Sequence, residues 1–187
     1  ESEKPVFMPI LFPNNSNNRT VDNPRFLRTG ERRLKQAQRL VSRRAKGSRN
    51  RAKARVILGK RHLKISRQRK DWAVKLARCV IRSNDLVAYE DLRIKNMVKN
   101  HCLAKSINDA SWYQFRLWVE SLGKVYGKIT IAVPSNGTSQ ECSRCGTVVK
   151  KTLSTRTHVC QCGCVLDRDH NAARNILSRG LATVGHT

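Results

Sequence analysis

Apolar and polar positions alternate with different periods along the chain, and the changes of period mark its elements. Leu34, Ala37 and Val41 recur at helical spacing. Gly47-Ser48 breaks that pattern, and a second stripe then runs through Leu58, Ile65, Trp72, Leu76 and Val80. Two helices joined by a short turn are expected over residues 25–84. Leu86-Val87-Ala88-Tyr89 is an unbroken apolar run ending in Glu90-Asp91. Runs of this kind are buried on both faces, as in a mostly parallel sheet. Arg93 to Lys105 shows little periodicity and is expected to be a basic loop. Ser106-Ile107-Asn108-Asp109 fits a capping box. It predicts a following helix with Phe115, Trp118, Leu122 and Val125 on one face, closed by Gly127. Ile129 to Val133, stopped by Pro134, predicts a second strand. Ala172, Ala173, Ile176 and Leu177 form the apolar side of a helix over 169–178, with a frayed tail from Gly180. Near the start, Val6 to Phe12 is a short apolar run interrupted by Pro9, expected as an edge strand, and Asn14 to Asn18 is expected as a turn.

Charge changes the picture of the helices. The 187 residues carry 38 Lys and Arg against 13 Asp and Glu, a net charge of +25. Between Arg25 and Lys75 the basic residues number 20, and Glu31 and Asp71 are the only acids. Like charges on neighbouring turns weaken a helix, so this surface calls for a polyanion to neutralise it. Arg43, Arg44, Lys46, Arg49, Arg51, Lys53, Arg55, Arg69 and Lys70 are the candidate phosphate contacts, joined by Arg144 further on. An anionic membrane surface is the weaker alternative, and no apolar stretch is long enough to span a bilayer. The length fits one domain, at most with a small appended module. The chain begins with Glu1, and the expectation is a fragment of a longer protein.

Candidate chemistry gathers between Cys142 and Asn175. Five of the seven cysteines fall between Cys142 and Cys164. An odd count, tight spacing and no secretion signal point to a metal site in a reducing compartment. Cys142-Ser-Arg-Cys145-Gly146 is a full knuckle, and Cys160-Gln-Cys162-Gly163 is a shortened one with the same glycine after its second cysteine. Four thiolates suit tetrahedral Zn²⁺ and leave no open position for water, so the site is structural. Cys164 and His158 are the alternative fourth ligands; the repeated glycine favours Cys162. Beyond the knuckles, Asp167 and Asp169 precede the last helix. Glu90, at the carboxyl end of a strand, lies where α/β sheets collect their sites. Each acid alone has a plainer explanation, a solvated strand end for Glu90 and a helix N-cap for Asp169. Together they could hold Mg²⁺, which takes oxygen ligands and supports phosphodiester cleavage.

The strings GSRNRAKAR, RKDW, VAYEDLRIKNM, NDASW, TSQECSRCG and CGCVLDRDHNAARNIL, in this order from about Asp22 to Ser178, resemble the C-terminal half of TnpB, also called OrfB. Proteins of that family are encoded by insertion sequences, are classically described as transposases, and are relatives of the type V CRISPR effector nucleases. The resemblance implies an α/β fold with an RNase H-like (RuvC) core, N-terminally incomplete, carrying a basic helical hairpin and an inserted zinc ribbon. Its expected divisions are 1–24, a remnant of early strands; 25–84, the hairpin; 85–134, strand-helix-strand with Glu90; 135–166, the ribbon; and 167–187, the last helix. It implies an RNA-guided, Mg²⁺-dependent DNA endonuclease with DNA and guide RNA as partners, in the cytoplasm of a bacterium or archaeon, near the nucleoid.

By the same resemblance, Glu90 matches the second of three family acids and Asp169 the third, while Cys142, Cys145, Cys160 and Cys162 match the zinc ligands. The first acid's Gly-[Ile/Val]-Asp-x-Gly strand has no counterpart before Glu31, so the chain is expected to be incomplete for cleavage and to take Mg²⁺ only if the site is completed. Two functions therefore compete: the catalytic half of the nuclease, and a zinc-ribbon DNA- or RNA-binding protein without cleavage. A generic zinc-ribbon protein of transcription or the ribosome would leave the Glu90 strand and the Asp169 helix unexplained.

Overall fold

A computed structural model of the protein describes residues 21–152 and 154–185, apart from the side chains of Cys102 and Leu103. The expected edge strand at Val6–Phe12 and the turn at Asn14–Asn18 lie outside the described residues. The two apolar stripes form helix α1 (Phe26–Arg43) and helix α2 (Arg49–Arg82). Leu34, Ala37 and Val41 are the buried residues of α1, and α1 packs along the first part of α2. Ser48 accepts a hydrogen bond from the Arg51 amide at 3.2 Å and so starts α2. With 34 residues, α2 is long enough to leave α1 behind and enter the core.

Strand β1 (Leu86–Glu90) explains why the apolar run is unbroken. Its successive side chains point to opposite faces. Val87 and Tyr89 meet Ala73, Ala77, Val80 and Ile81 of α2. The same layer takes in Phe115, Val119 and Leu122 of α5 (Trp112–Tyr126). On the other face, Leu86 and Ala88 pack with Val133 of strand β2 (Ile129–Val133) and Ile176 of the last helix. β1 and β2 are parallel, in register from Leu86–Ile129 to Glu90–Val133. The arrangement is three layers, α2 and α5, then β1 and β2, then α6 (Arg168–Thr183). Each buried Val or Ile here contributes about 1.5–3 kcal/mol.

Three local expectations are corrected. Residues 93–105 are not a loop: they hold α3 (Ile94–Met97) and enter α4 (His101–Ala110). Leu92, Ile94, Met97 and Val98 pack on Ile107, Ala110 and Trp112, a satellite cluster whose short elements show no long period. The supposed capping box lies inside α4. The break before α5 is instead Ser111, held at φ 56°. Asp109 does cap a helix, but a distant one. Its two oxygens accept from the Leu27 and Arg28 amides of α1 at 2.8 and 3.2 Å. Val125 is 73% exposed, and Val119 occupies the buried position instead.

The described part of the tail, 180–185, is not frayed either. α6 runs to Thr183, and Leu181 and Val184 pack on β1 and β2. Gly180 permits this, because a Cβ there would lie 2.7 Å from the Ala88 Cβ.

Between β2 and α6 the chain makes a small module from a short antiparallel pair, β3 (Thr157–Val159) and β4 (Val165–Asp167). A single bridge joins Glu141 to Val148. Its own core is three cysteines, Cys142, Cys160 and Cys164, with Val149 and Leu166.

Candidate metal and nucleic-acid site

The period of two along β1 decides which acid faces which helix. Leu86, Ala88 and Glu90 share the face covered by α6; Val87, Tyr89 and Asp91 share the other. Asp91 is accordingly taken by α5, where Arg116 donates to it at 2.7 Å. Arg116 also donates to Glu120 at 2.8 Å, and Glu120 accepts from the Tyr89 hydroxyl at 2.6 Å. Burial and the Glu120 carboxylate hold the Tyr89 phenol well above its usual range.

Glu90 faces the start of α6. Burial is the main reason its carboxyl lies above the usual range. The Thr138 hydroxyl, donating at 2.5 Å, opposes the shift. The negative charge of Asp169 adds to it, and Arg179 offsets part. A carboxylate from a widely separated part of the chain therefore bears on Glu90. Asp169 is not the N-cap of α6. Asp167 takes that role, accepting from the Asp169 and His170 amides at 2.8 and 3.3 Å. The Asp169 carboxylate is left in the first turn, at the positive end of the helix. Arg168 lies 3.3 Å and Arg156 3.8 Å from its oxygens.

The sulfur atoms of Cys142, Cys145, Cys160 and Cys162 all lie within 4.8 Å of one another. Cys142 and Cys162 are 3.7 Å apart, Cys145 and Cys160 3.5 Å. Gly146 and Gly163 have φ of 75° and 82°, the left-handed turn that a side chain would strain. Those turns aim amides at the sulfurs. Burial opposes ionisation of Cys142, yet the Arg144 and Cys145 amides bring its thiol below the ordinary range. The Thr147 hydroxyl and amide pull Cys145 down to about 6. Both alternative fourth ligands lie elsewhere. Cys164 is buried in the small core and outside the group of four. His158, fully buried, presents Nδ1 to the Lys151 ammonium, and its Nε2 has no partner among the described residues. Burial, then the Lys151 charge, keeps the imidazole below its usual range.

Sequence reasoning missed the side chains that join the two sites. Asn171 donates to the Glu141 carbonyl at 2.7 Å and accepts from the Ser143 amide at 2.9 Å. Asn175 donates to the Thr138 and Glu141 carbonyls, both at 2.8 Å. Arg179 donates to the Pro134 and Asn136 carbonyls at 3.0 and 2.8 Å and pairs with Glu141. These residues are spaced by four on α6, one face of a helix, and they hold residues 134–143 against it. The spacing was visible as Asn171-x-x-x-Asn175-x-x-x-Arg179.

Of the candidate phosphate contacts, Arg43, Arg44, Lys46, Arg49, Lys53, Arg55 and Arg144 carry no ion pair among the described residues. Arg51 donates to the Arg44 carbonyl across the hairpin turn. Lys70 lies over the Trp118 ring. Arg69 is turned inward, bonding Ser111 at 2.9 Å and the Asn108 carbonyl. No helix of the described residues is long and apolar enough to cross a membrane.

Two family descriptions match the chain in succession. The one described as "Probable transposase" (OrfB_IS605) matches residues 13–101, and the one described as "Cas12f1-like, TNB domain" matches residues 112–176. The chain is 44% identical over 167 residues to a Streptomyces pristinaespiralis protein named "Putative RNA-guided DNA endonuclease", covering 87% of this chain and 41% of that protein. It is 32% identical over 171 residues to a protein of Escherichia coli (strain K12) given the same description with the name InsQ, covering 82% and 42%. "TnpB-like protein L79" of Acanthamoeba polyphaga mimivirus is 30% identical over 131 residues, covering 66% and 25%. The chain thus spans about two fifths of the length of the first two relatives. Among solved structures, a chain of "Cryo-EM structure of the Cas12f1-sgRNA-target DNA complex" aligns with 94% of this chain and 50% of its own length, at a TM-score of 0.59 and 17% identity. At that identity the likeness is one of fold.

Proposed function

The chain belongs to the TnpB/OrfB family, and from that membership we propose that it is the zinc-bearing, two-carboxylate part of an RNA-guided DNA endonuclease. The observation that supports the reading is the placement of Glu90 at the carboxyl end of β1 and of Asp169 in the first turn of α6, the helix that covers that face of the strand. A parallel pair of strands covered on both faces, with an acid at its end, supports an RNase H-like core. DNA and a guide RNA are the partners that the relatives' names and the basic helices support.

The residues fit the two metals differently. Zn–S bonds of about 2.3 Å in a tetrahedron place sulfurs about 3.8 Å apart, close to the 3.5 and 3.7 Å found. Cys142, Cys145, Cys160 and Cys162 would hold Zn²⁺ as a closed structural site. Glu90 and Asp169 would contribute to a Mg²⁺ site once a third acid completes it, with water and substrate phosphate filling the rest of the shell. When bound, the ion would activate water and stabilise the leaving oxygen. The chain's own residues orient that site. Thr138 fixes one Glu90 oxygen, Asp167 frees Asp169 from capping, and Arg156 and Arg168 stand where a strand phosphate would approach.

The test is incubation of the chain with labelled single-stranded and duplex DNA, with and without Mg²⁺. Metal-dependent nicking that disappears in Glu90→Gln and in Asp169→Asn supports the enzyme. Binding without nicking leaves this chain as a nucleic-acid-binding module. Purified protein should carry one zinc per chain, and a zinc content near zero rules out the ribbon.

A further inference from the structure

A cleft of about 130 Å³ opens between the first turns of α1 and the middle of α2. Phe26 and Ile65 line it as apolar walls, Gln68 adds an amide, and Arg33, Arg61 and Lys64 stand around it. The helices come this close because residue 30 is glycine: a Cβ there would lie 2.6 Å from Ile65 Cδ1. The three cations have no counter-ion among the described residues. The nearby acid, Glu31, is engaged by Lys35 and Lys105, and Asp71 pairs with Lys75. Phe26 is held in place from outside the hairpin, since Asp109 fixes the next amide, that of Leu27.

An apolar slot ringed by unpaired cations is matched by a flat ring attached to phosphates. A cavity near 150 Å³ accepts a benzene-sized ring, so this cleft has room for a single six-membered ring. We propose that the cleft binds one unstacked pyrimidine nucleotide of a single strand, its base against Phe26 and Ile65, its edge met by Gln68, and its flanking phosphates held by Arg33, Arg61 and Lys64. The inference rests on the nucleic-acid reading of the basic helices and assigns one nucleotide a fixed place on them. Aromatic stacking together with cationic contacts is the usual means of holding a single strand.

The experiment measures binding of the full chain to short thymidine, uridine, adenosine and abasic strands by fluorescence anisotropy over a range of salt. The expected result is about tenfold tighter binding of the pyrimidine strands than of the abasic strand. The tighter of thymidine and uridine identifies DNA or RNA as the source. Phe26→Ala should remove the preference and leave abasic binding and its salt slope unchanged. Arg61→Gln should lower the salt slope by about one for every strand. Gln68 is exposed, so Gln68→Ala should fold normally and narrow the pyrimidine preference; it carries the test if Phe26→Ala melts early. Equal binding of thymidine and abasic strands, or an intact preference in Gln68→Ala, overturns the cleft alone. Failure to bind any strand overturns the nucleic-acid reading with it.

Discussion

The cysteine cluster and the carboxylate pair follow one another in the chain and are built in opposite ways. The four sulfurs come from residues within twenty positions of one another, on turns whose geometry two glycines set. Beneath them lies a core of three cysteines and two partly buried apolar residues. So small a core cannot meet the entropy of ordering the module, about 1–2 kcal/mol per residue for the backbone alone. Glu90 and Asp169 lie about eighty positions apart and are brought to the same side of β1 only because α2, α5, the two strands and α6 pack in order. One site is set by local turns; the other is set by the long-range fold. The strongest test of that contrast is metal removal. A structural zinc is worth about 10–16 kcal/mol to a site of this kind. A strong chelator should therefore expose the amides of Cys142 to Val165 to rapid hydrogen exchange while those of α2 and α5 stay protected. Loss of protection in α2 and α5 together with the module would break the contrast.

What the sequence disclosed follows the same division. The knuckles were legible because their chemistry is local: spacing and a following glycine suffice. The β1 run was legible too, since an unbroken apolar stretch is a local property. Long-range partners were not. Asp109 caps a helix more than eighty positions earlier, and a four-residue window reads it as part of its own capping box. Asp167 displaces Asp169 from the cap of α6, because β4 brings it to that position and either aspartate would satisfy the sequence pattern. Residues 93–105, which hold α3 and the first half of α4, read as a loop because their apolar residues face a small satellite cluster and not a long stripe.

Asn171 joins the two regions and gives the intermediate effect. Its side chain is fully buried and holds the first knuckle to α6 by two bonds. In Asn171→Ala the Glu141 carbonyl keeps Asn175 as a partner, while the Ser143 amide loses its acceptor. Orphaning a fully buried group costs about 1–3 kcal/mol, and the part-buried Ser143 amide should lie at the low end. The unfolding free energy of the metal-loaded protein in urea should fall by that amount, and a chelator should strip the metal faster than from the wild type. An unfolding free energy within about 0.5 kcal/mol of wild type, the scatter expected of a surface change, would mean that the module stands independently of α6.

Glu31 sets a short-range and a long-range contact side by side on one carboxylate, and gives the smallest effect. It pairs with Lys35, one turn ahead, at 3.0 Å and with Lys105 of α4 at 2.6 Å. The hydrogen bond from Lys105, then that from Lys35, pulls its carboxyl from 4.5 down to about 2. A carboxyl depressed in the folded state stabilises the fold above its unfolded value, and that contribution fades as the pH falls from about 4.5 through about 2. Glu31→Gln should therefore melt slightly below wild type at neutral pH, with the gap closing over that window and shrinking in salt. Lys35→Ala and Lys105→Ala divide the effect. An i,i+4 pair on an exposed helix is worth little, so Lys105→Ala should reproduce most of the Glu31→Gln difference, because it also unties α1 from α4. If Lys35→Ala has the larger effect, the tie between α1 and α4 rests on Asp109 and on Arg28 bonding Ser106, and the surface charge is a property of α1 alone.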